Sequence, residues 1–117
     1  MILAIVGTRV VPDSDIAHHL IEAALSFGPS LVVSGGAEGI DRMVSDVCLS
    51  AGFDFQEFRP ESRRWEPNGY KARNIAMASE CDVLVAIRSR SAESFGSGWT
   101  ADEAERRGKT VYRWEMP

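Results

Sequence analysis

Short apolar runs alternate along this chain with segments of helical periodicity, and this alternation is the strongest limit on how the chain can fold. The first run, Ile2–Val6, is apolar throughout and ends at Gly7, which is typical of a strand buried on both faces. Strands that alternate with helices predict βαβ units and a parallel sheet. We therefore predict one α/β domain over residues 1–117, a Rossmann-like, doubly wound fold with a five-stranded, mainly parallel sheet and helices on both faces.

The boundaries of the elements follow from the same periodicity and from the glycines that stop the helices. Strands are predicted at Ile2–Val6, Leu31–Val33, Phe53–Phe58, Asp82–Ile87 and Thr110–Trp114. Helices are predicted from a cap at Asp13 or Ser14 to Gly28, from Gly39 to Gly52, over Tyr70–Ser79 and over Thr100–Gly108, with a flexible loop at Arg88–Gly98. Right-handed crossovers then bring every strand-to-helix loop to one edge of the sheet, where such folds bind ligands.

The composition is that of an ordinary globular protein, with 44% hydrophobic and 26% charged residues. No apolar run approaches the roughly 20 residues that span a bilayer. The first strand-like run also lacks the basic flank and the length of a signal peptide, so we expect a cytoplasmic protein without membrane contact.

Charge is distributed unevenly within a formal net charge of −4. Residues 1–58 carry two basic and eight acidic side chains, whereas residues 59–113 carry eleven basic and eight acidic ones. A chain this acidic overall lacks the long-range attraction used by general nucleic-acid binders. The local basic surplus instead suits a small anionic ligand.

The cysteines and histidines do not have the spacing of a metal site. Cys48 and Cys81 are far apart in mostly apolar segments, so we expect buried, reduced thiols. His18 and His19 are adjacent in a helix and point in different directions. We predict neither a metal nor a separate cofactor.

The glycine-rich turn Ser34–Gly39 follows an apolar strand and precedes a helix. Gly35 and Gly36 let the backbone approach a ligand without an intervening Cβ, and the helix that follows directs its unpaired N–H groups at the same place. A phosphate or carboxylate fits there; the alternative is a purely structural turn. At the end of the first strand, Arg9 offers planar donors to the same anion, unless it is an ordinary surface arginine.

Two further segments have both a functional and a structural interpretation. Arg73 and Asn74 lie in the first turns of a helix, where they either hold an anion or form a solvated face with Trp65 covering the core. The Gly96–Thr100 segment follows the fourth strand as a second approach loop for phosphate or sugar. Thr100 and Glu103 also match the capping box, and in the functional alternative Glu103 faces the cleft and stabilises an oxocarbenium ion.

These segments together resemble the SLOG superfamily, which joins the DNA-processing protein DprA to the LOG-type phosphoribohydrolases. The residues that carry the resemblance are Gly7–Arg9, the Ser34–Asp41 segment that is similar to the SGGxxGID of DprA, Trp65 with Gly69, Arg73-Asn74, and Gly98, Thr100 and Ala104. The chain looks closest to the small YspA-like, YpsA-related branch. The resemblance implies a nucleotide-type ligand between the first two segments and the Gly98 loop.

In LOG enzymes an arginine and a glutamate act in cleaving the N-glycosidic bond of nucleoside 5′-monophosphates, and Arg73 and Glu103 stand at similar places. The chain departs from the LOG pattern, with Arg-Asn in place of Arg-Lys, no PGG before the last loop, and Trp99 between Gly98 and Thr100. The resemblance therefore implies binding more strongly than catalysis.

Three functions follow as hypotheses. The first is a nucleotide-binding sensor or regulator, the second an N-glycoside hydrolase or transferase (a phosphoribohydrolase or deoxyribosyltransferase-like enzyme), and the third a DprA-like binder of single-stranded DNA, which the net acidity disfavours. A homodimer is also expected, with Trp99 or Trp114 in the contact. The predicted catalytic residues are Glu103 and Arg73; the predicted ligand-binding residues are Gly7, Thr8, Arg9, Ser34, Gly35, Gly36, Glu38, Gly39, Asp41, Trp65, Asn74, Gly96, Ser97, Gly98 and Thr100.

Overall fold

The computed structural model describes residues 1–90 and 95–117, and strands alternate with helices through both ranges. The strands are β1 (Ile2–Gly7), β2 (Leu31–Ser34), β3 (Phe55–Glu57), β4 (Val83–Ser89) and β5 (Thr110–Met116). The helices are α1 (Ser14–Leu25), α2 (Ile40–Ala51), α3 (Tyr70–Glu80) and α4 (Phe95–Arg106). The predicted α/β class and the order of its nine elements are confirmed.

The described strands form one sheet in the order β3-β2-β1-β4-β5, and each neighbouring pair is parallel. The chain first builds outward from β1 through β2 to β3, then crosses to β4 on the other side. The strand order thus reverses at β1 and β4. In open parallel sheets, the crevice beyond the carboxyl ends of the strands at such a reversal is the usual ligand site.

The core consists of two apolar layers, one on each face of the sheet. From β1, Leu3 and Ile5 pack beneath α1 and α2, whereas Ala4 and Val6 pack beneath α3 and α4. All four side chains are buried, which explains why this strand is apolar at consecutive positions. The helices therefore cover both faces, as predicted.

The last helix begins five residues earlier than predicted. Gly96, Ser97 and Gly98 lie in the first turns of α4 and not in a loop, and Arg88 belongs to β4. Residues 91–94 of the predicted flexible loop lie outside the described residues. Glycine and serine have low helix propensity, but tertiary packing of the buried Ser97 and Thr100 outweighs that weak preference.

Two smaller features also concern packing. The third strand has three residues in place of the predicted six. Cys48 and Cys81 are free and buried, as predicted, and burial raises the pKa of the Cys48 thiol to about 11. Among the described residues, no helix combines the length and the hydropathy needed to cross a membrane.

Candidate functional site

A cavity of about 320 Å³ opens at the carboxyl edge of β1, among the first turns of α2, α3 and α4. Its size is near the lower end of the roughly 300–1,000 Å³ typical of small-molecule sites. Nine of its lining residues were predicted from the sequence: Gly7, Arg9, Asp41, Trp65, Arg73, Asn74, Gly96, Ser97 and Thr100. The fold thus brings together residues from all four predicted segments.

The other predicted residues do not line the cavity: Thr8, Ser34, Gly35, Gly36, Glu38, Gly39, Gly98 and Glu103. Ser34 is buried, and its hydroxyl donates to Ile5 O at 2.6 Å, which ties β2 to β1. Thr8 is also buried, and its carbonyl accepts the Ile40 N–H at 3.1 Å at the start of α2. These two residues shape the site through the backbone.

The glycines of the turn are required by close backbone contacts. A Cβ on Gly35 would lie 2.6 Å from Arg73 Nη1 and 2.9 Å from Asp41 Oδ2. Gly39 has a φ of 81°, and a Cβ there would collide with the carbonyl oxygens of Thr8 and Arg9. The turn is therefore packed against the β1 loop on one side and against α3 on the other.

The helices α2 and α3 both begin after a glycine that supplies no side-chain cap. Gly39 precedes α2 and Gly69 precedes α3, and a glycine has no side chain that could accept a hydrogen bond from the first turn. The α1 helix differs, because the Asp13 carboxylate accepts the N–H groups of Asp15 and Ile16. Backbone carbonyls take the place of a side-chain cap, because Tyr70 N–H donates to Arg64 O in α3 and Ile40 N–H donates to Thr8 O in α2. The two helix starts therefore offer an anion mainly the positive end of the helix dipole.

Arg73 connects α3 to the glycine turn. Its Nη1 donates to Gly35 O at 2.6 Å and to Phe58 O at 3.3 Å, and its Nε donates to Asn74 Oδ1 at 2.7 Å. Burial lowers the pKa of Arg73 from its ordinary value, although the nearby Asp41 carboxylate opposes that change. Much of the guanidinium is therefore used to hold the turn in place.

Asp41 is the acidic member of the site. Its side chain is 5% exposed, and Oδ2 accepts the Ala37 N–H at 3.3 Å. Oδ1 is buried and has no hydrogen-bond partner among the described residues. Burial raises the pKa of Asp41 to about 6, against the opposing effects of the Ala37 hydrogen bond, the Arg73 charge, and the nearby Gly7 N–H and Ser34 hydroxyl.

We expect the effect of Asp41→Asn on stability to depend on pH. Folding raises the pKa of Asp41 from 3.8 to about 6, because burial favours the protonated carboxyl group. The resulting stabilisation of the folded state is complete below pH 4 and is lost as the pH rises through 6. The free energy of unfolding of the variant, relative to wild type, should therefore increase by about 2–3 kcal/mol between pH 4 and 7.5. Urea unfolding across that range measures it. Asp46→Asn, at an exposed position on α2, is the control, and a pH-independent difference for Asp41→Asn would contradict the expectation.

Tyr70 also lines the cavity, together with Val6, Val10, Ala37 and Met77, although none of the five is among the predicted ligand-binding residues. The Arg73 guanidinium carbon lies 5.3 Å from the centroid of the Tyr70 ring, which is within cation–π range. An aromatic residue three positions before an arginine in a first helical turn was the signal that could have identified it. Trp65 meets Trp99 edge to face, with ring centroids 5.1 Å apart, at one side of the cavity.

The predicted capping box is wrong, because Thr100 lies inside α4. Its hydroxyl donates to Gly96 O at 2.7 Å, one turn back along the helix. Glu103 follows one turn later, outside the cavity lining, and its carboxylate pairs with Arg106 at 2.8 Å and Arg107 at 3.9 Å. The structure therefore does not bring Glu103 together with the other predicted site residues.

A second, larger cavity of about 640 Å³ lies between α1 and α2. It is lined by apolar side chains such as Met43 and Phe53 and by the acidic Glu22 and Asp46. Among the described residues, no glycine turn and no arginine lines this cavity, so it does not offer the chemistry of an anion site. Within the described residues, no three His, Cys, Asp or Glu side chains gather as metal ligands would.

Comparison with known proteins supports the fold. The X-ray structure of TM1055, a structural-genomics target, is similar with a TM-score of 0.72 over 94% of this chain and 71% of that one. The two sequences are 23% identical, so the similarity shows a shared Rossmann-like fold and nothing about activity. No protein-family model and no curated protein sequence matches this chain.

Proposed function

We propose that this protein binds a nucleotide or a nucleotide-derived ligand in the cavity beyond β1, as a sensor or regulator. One observation carries the proposal: the first turns of α2, α3 and α4 converge with Arg9 on a single cavity at the reversal point of the sheet. Convergent helix starts concentrate the positive ends of helix dipoles, and an anion is the ligand that these stabilise.

Arg9 and Arg73 play different parts in this proposal. Within residues 1–90 and 95–117, Arg9 has no ion-pair partner, is exposed and lines the cavity, so its planar donors are available to a phosphate. Arg73 is engaged with the carbonyls of Gly35 and Phe58, so it positions the turn and adds positive charge behind it.

The aromatic side of the cavity supports a nucleoside as the remainder of the ligand. Trp65 and Tyr70 both line the cavity, and aromatic rings are the usual stacking partners of bases. The resemblance of Ser34–Asp41 and the neighbouring segments to the SLOG superfamily supports the same ligand class. The hydrolase alternative requires a carboxylate at the sugar, whereas Glu103 is paired with Arg106 and Arg107 outside the cavity. The binding role is therefore preferred.

We expect nucleoside monophosphates, cyclic nucleotides or ADP-ribose derivatives to raise the melting temperature by several degrees. At 100 times its dissociation constant, a ligand stabilises the fold by about 2.7 kcal/mol. Differential scanning fluorimetry with a panel of these compounds identifies the class, and titration calorimetry gives the affinity. If none of them raises the melting temperature, the proposal is wrong.

Arg9→Gln should weaken binding of the best ligand by about 10- to 100-fold, because one charged hydrogen-bonding group contributes about 1.5–3 kcal/mol. Arg107→Gln, beyond the far end of α4, is the matched control and should leave the affinity unchanged.

Chromatography of the ligand after incubation with the protein tests the hydrolase alternative. Release of free base by wild type, lost in Glu103→Gln, would favour the hydrolase.

A further inference from the structure

We infer that the strand β5 is a homodimer interface, on which a second copy of this chain adds its own β5 antiparallel to the first, across a two-fold axis at Trp114. The two five-stranded sheets then join into one continuous sheet. The residues of β5 do not line the candidate cavity, so this inference does not depend on the proposed function.

The first support is the open backbone edge of β5. This strand is at one end of the sheet, and no described strand lies beyond it. Met116 O accepts the Arg90 N–H at 3.2 Å, so Met116 and every second residue before it direct their backbone groups to β4. Those of Val111, Arg113 and Glu115 are therefore directed outward. An exposed row of strand N–H and C=O groups is a template for pairing with another chain.

The second support is a cluster of aromatic side chains on one face of this edge. The ring centroid of Phe27 lies 5.4 Å from that of Tyr112 and 6.2 Å from that of Trp114. Phe27 and Tyr112 remain 40% and 42% exposed, and Trp114 is half-buried. Aromatic residues are enriched in the buried centres of protein–protein interfaces. Such a cluster beside an open strand edge indicates a protein partner.

The third support is the order of charges along β5, which identifies a second copy as the partner. Outward-directed residues exchange backbone hydrogen bonds in an antiparallel pair. Pairing centred on Trp114 sets Arg113 of each copy opposite Glu115 of the other, so two opposite-charge pairs flank the axis. Pairing centred on Arg113 sets the two arginines opposite each other, and pairing centred on Tyr112 sets Arg113 opposite Val111. Only the first of these registers makes β5 complementary to itself in charge.

The ion pairs that Arg113 and Glu115 make within one chain are compatible with this interface. Arg113 contacts Asp102 at 2.6 Å and Glu105 at 2.7 Å, and Glu115 contacts Arg90 at 3.1 Å. All five side chains are exposed, and exposed ion pairs contribute little to stability. A guanidinium has five N–H donors, so Arg113 can add a contact across the axis without losing those within its own chain.

Sedimentation velocity over a range of protein concentrations tests the interface. Wild type should form a dimer. Arg113→Glu and Glu115→Arg should each raise the dissociation constant of the dimer about tenfold or more, because two opposite-charge pairs become like-charge pairs. The double variant Arg113→Glu/Glu115→Arg should restore most of the affinity. It still lacks the contacts of Arg113 with Asp102 and Glu105, so restoration is not expected if the single reversals act only within one chain.

Trp114→Cys tests the register. Directly opposite residues that do not exchange hydrogen bonds have Cα atoms about 4.5 Å apart, which is within the range of a disulfide. Oxidised glutathione should therefore convert this variant to a disulfide-linked dimer, as seen on a denaturing gel without reductant. Tyr112→Cys is the matched control, because its two copies would lie about 13 Å apart along the strands. The natural cysteines, Cys48 and Cys81, are buried and should not react.

Monomeric wild type at every concentration would overturn the inference and would leave this edge for a different chain. A dimer that neither charge reversal weakens would also overturn it, because the contact would then use another surface. Cross-linking of Tyr112→Cys without cross-linking of Trp114→Cys would overturn the register. Circular dichroism establishes that each variant is folded, and all of these results leave the proposed ligand site standing.

Discussion

Gly39→Ala is expected to lower the free energy of unfolding by about 2–5 kcal/mol. The residue has a φ of 81° and a ψ of −128°, a combination that alanine adopts only under strain. The new Cβ would also collide with the carbonyl oxygens of Thr8 and Arg9, and such overpacking costs about 1–3 kcal/mol more. Chemical denaturation of the two proteins measures the loss.

Gly52→Ala is the matched control for this effect. Gly52 ends α2 with a φ of 77° in the left-handed region, and no atom lies within 4 Å of a Cβ built there. Only the conformational cost remains, so the expected loss is about 1–2 kcal/mol. Equal losses at the two positions would show that the turn and the β1 loop do not pack as closely as described.

Arg73→Met is expected to lower the free energy of unfolding by about 2–4 kcal/mol and to weaken ligand binding at least tenfold. The substitution leaves the carbonyls of Gly35 and Phe58 without their buried donor, and an unsatisfied buried group costs about 1–3 kcal/mol. It also removes the positive charge behind the turn. In the wild-type protein the Arg73 charge lowers the pKa of Asp41, so in the variant this pKa should rise above about 6. NMR titration of the Asp41 carboxyl group measures the change.

Two comparison variants separate these causes. Arg73→Lys keeps the charge but cannot reproduce the planar fork, so it should restore the pKa of Asp41 more fully than it restores stability. Lys71→Met removes a half-buried cation on the same helix, where its pair with Glu66 contributes at most about 1 kcal/mol. If Arg73→Met changes stability no more than Lys71→Met does, Arg73 does not hold the turn.

The sequence was sufficient for the sheet and for many of the residues that line the candidate cavity, because those features depend on local patterns. A parallel α/β fold is indicated by two local features: the continuous apolar run in β1, and the glycines at 28 and 52 that end helices. Neither feature depends on contacts between distant residues. Parallel strands also place all their carboxyl ends at one edge. The sequence therefore predicts that residues following β1 and β2, such as Arg9 and Asp41, lie close together, and both line the cavity.

Features that depend on packing were predicted less well. The sequence placed Gly96–Gly98 in a loop because glycine is a poor helix former, yet α4 begins at Phe95 and buries Ser97 and Thr100. That shift moved Glu103 to the second half of the helix, where it pairs with arginines. Helix starts are set by contacts with the rest of the domain as well as by propensity, and single-sequence patterns report only the latter.

By itself, the sequence determined the fold class, the glycine turn and the set of cationic and aromatic residues beyond the strands, because periodicity and backbone constraints act over a few residues. Only the tertiary structure decided how those residues are used. The hydrogen bond from Arg73 to Gly35 spans 38 residues, and it places most of that guanidinium in a structural role. The burial of Asp41 beside Gly7, Ser34 and Arg73 is likewise a product of folding, because these surroundings come from distant parts of the chain.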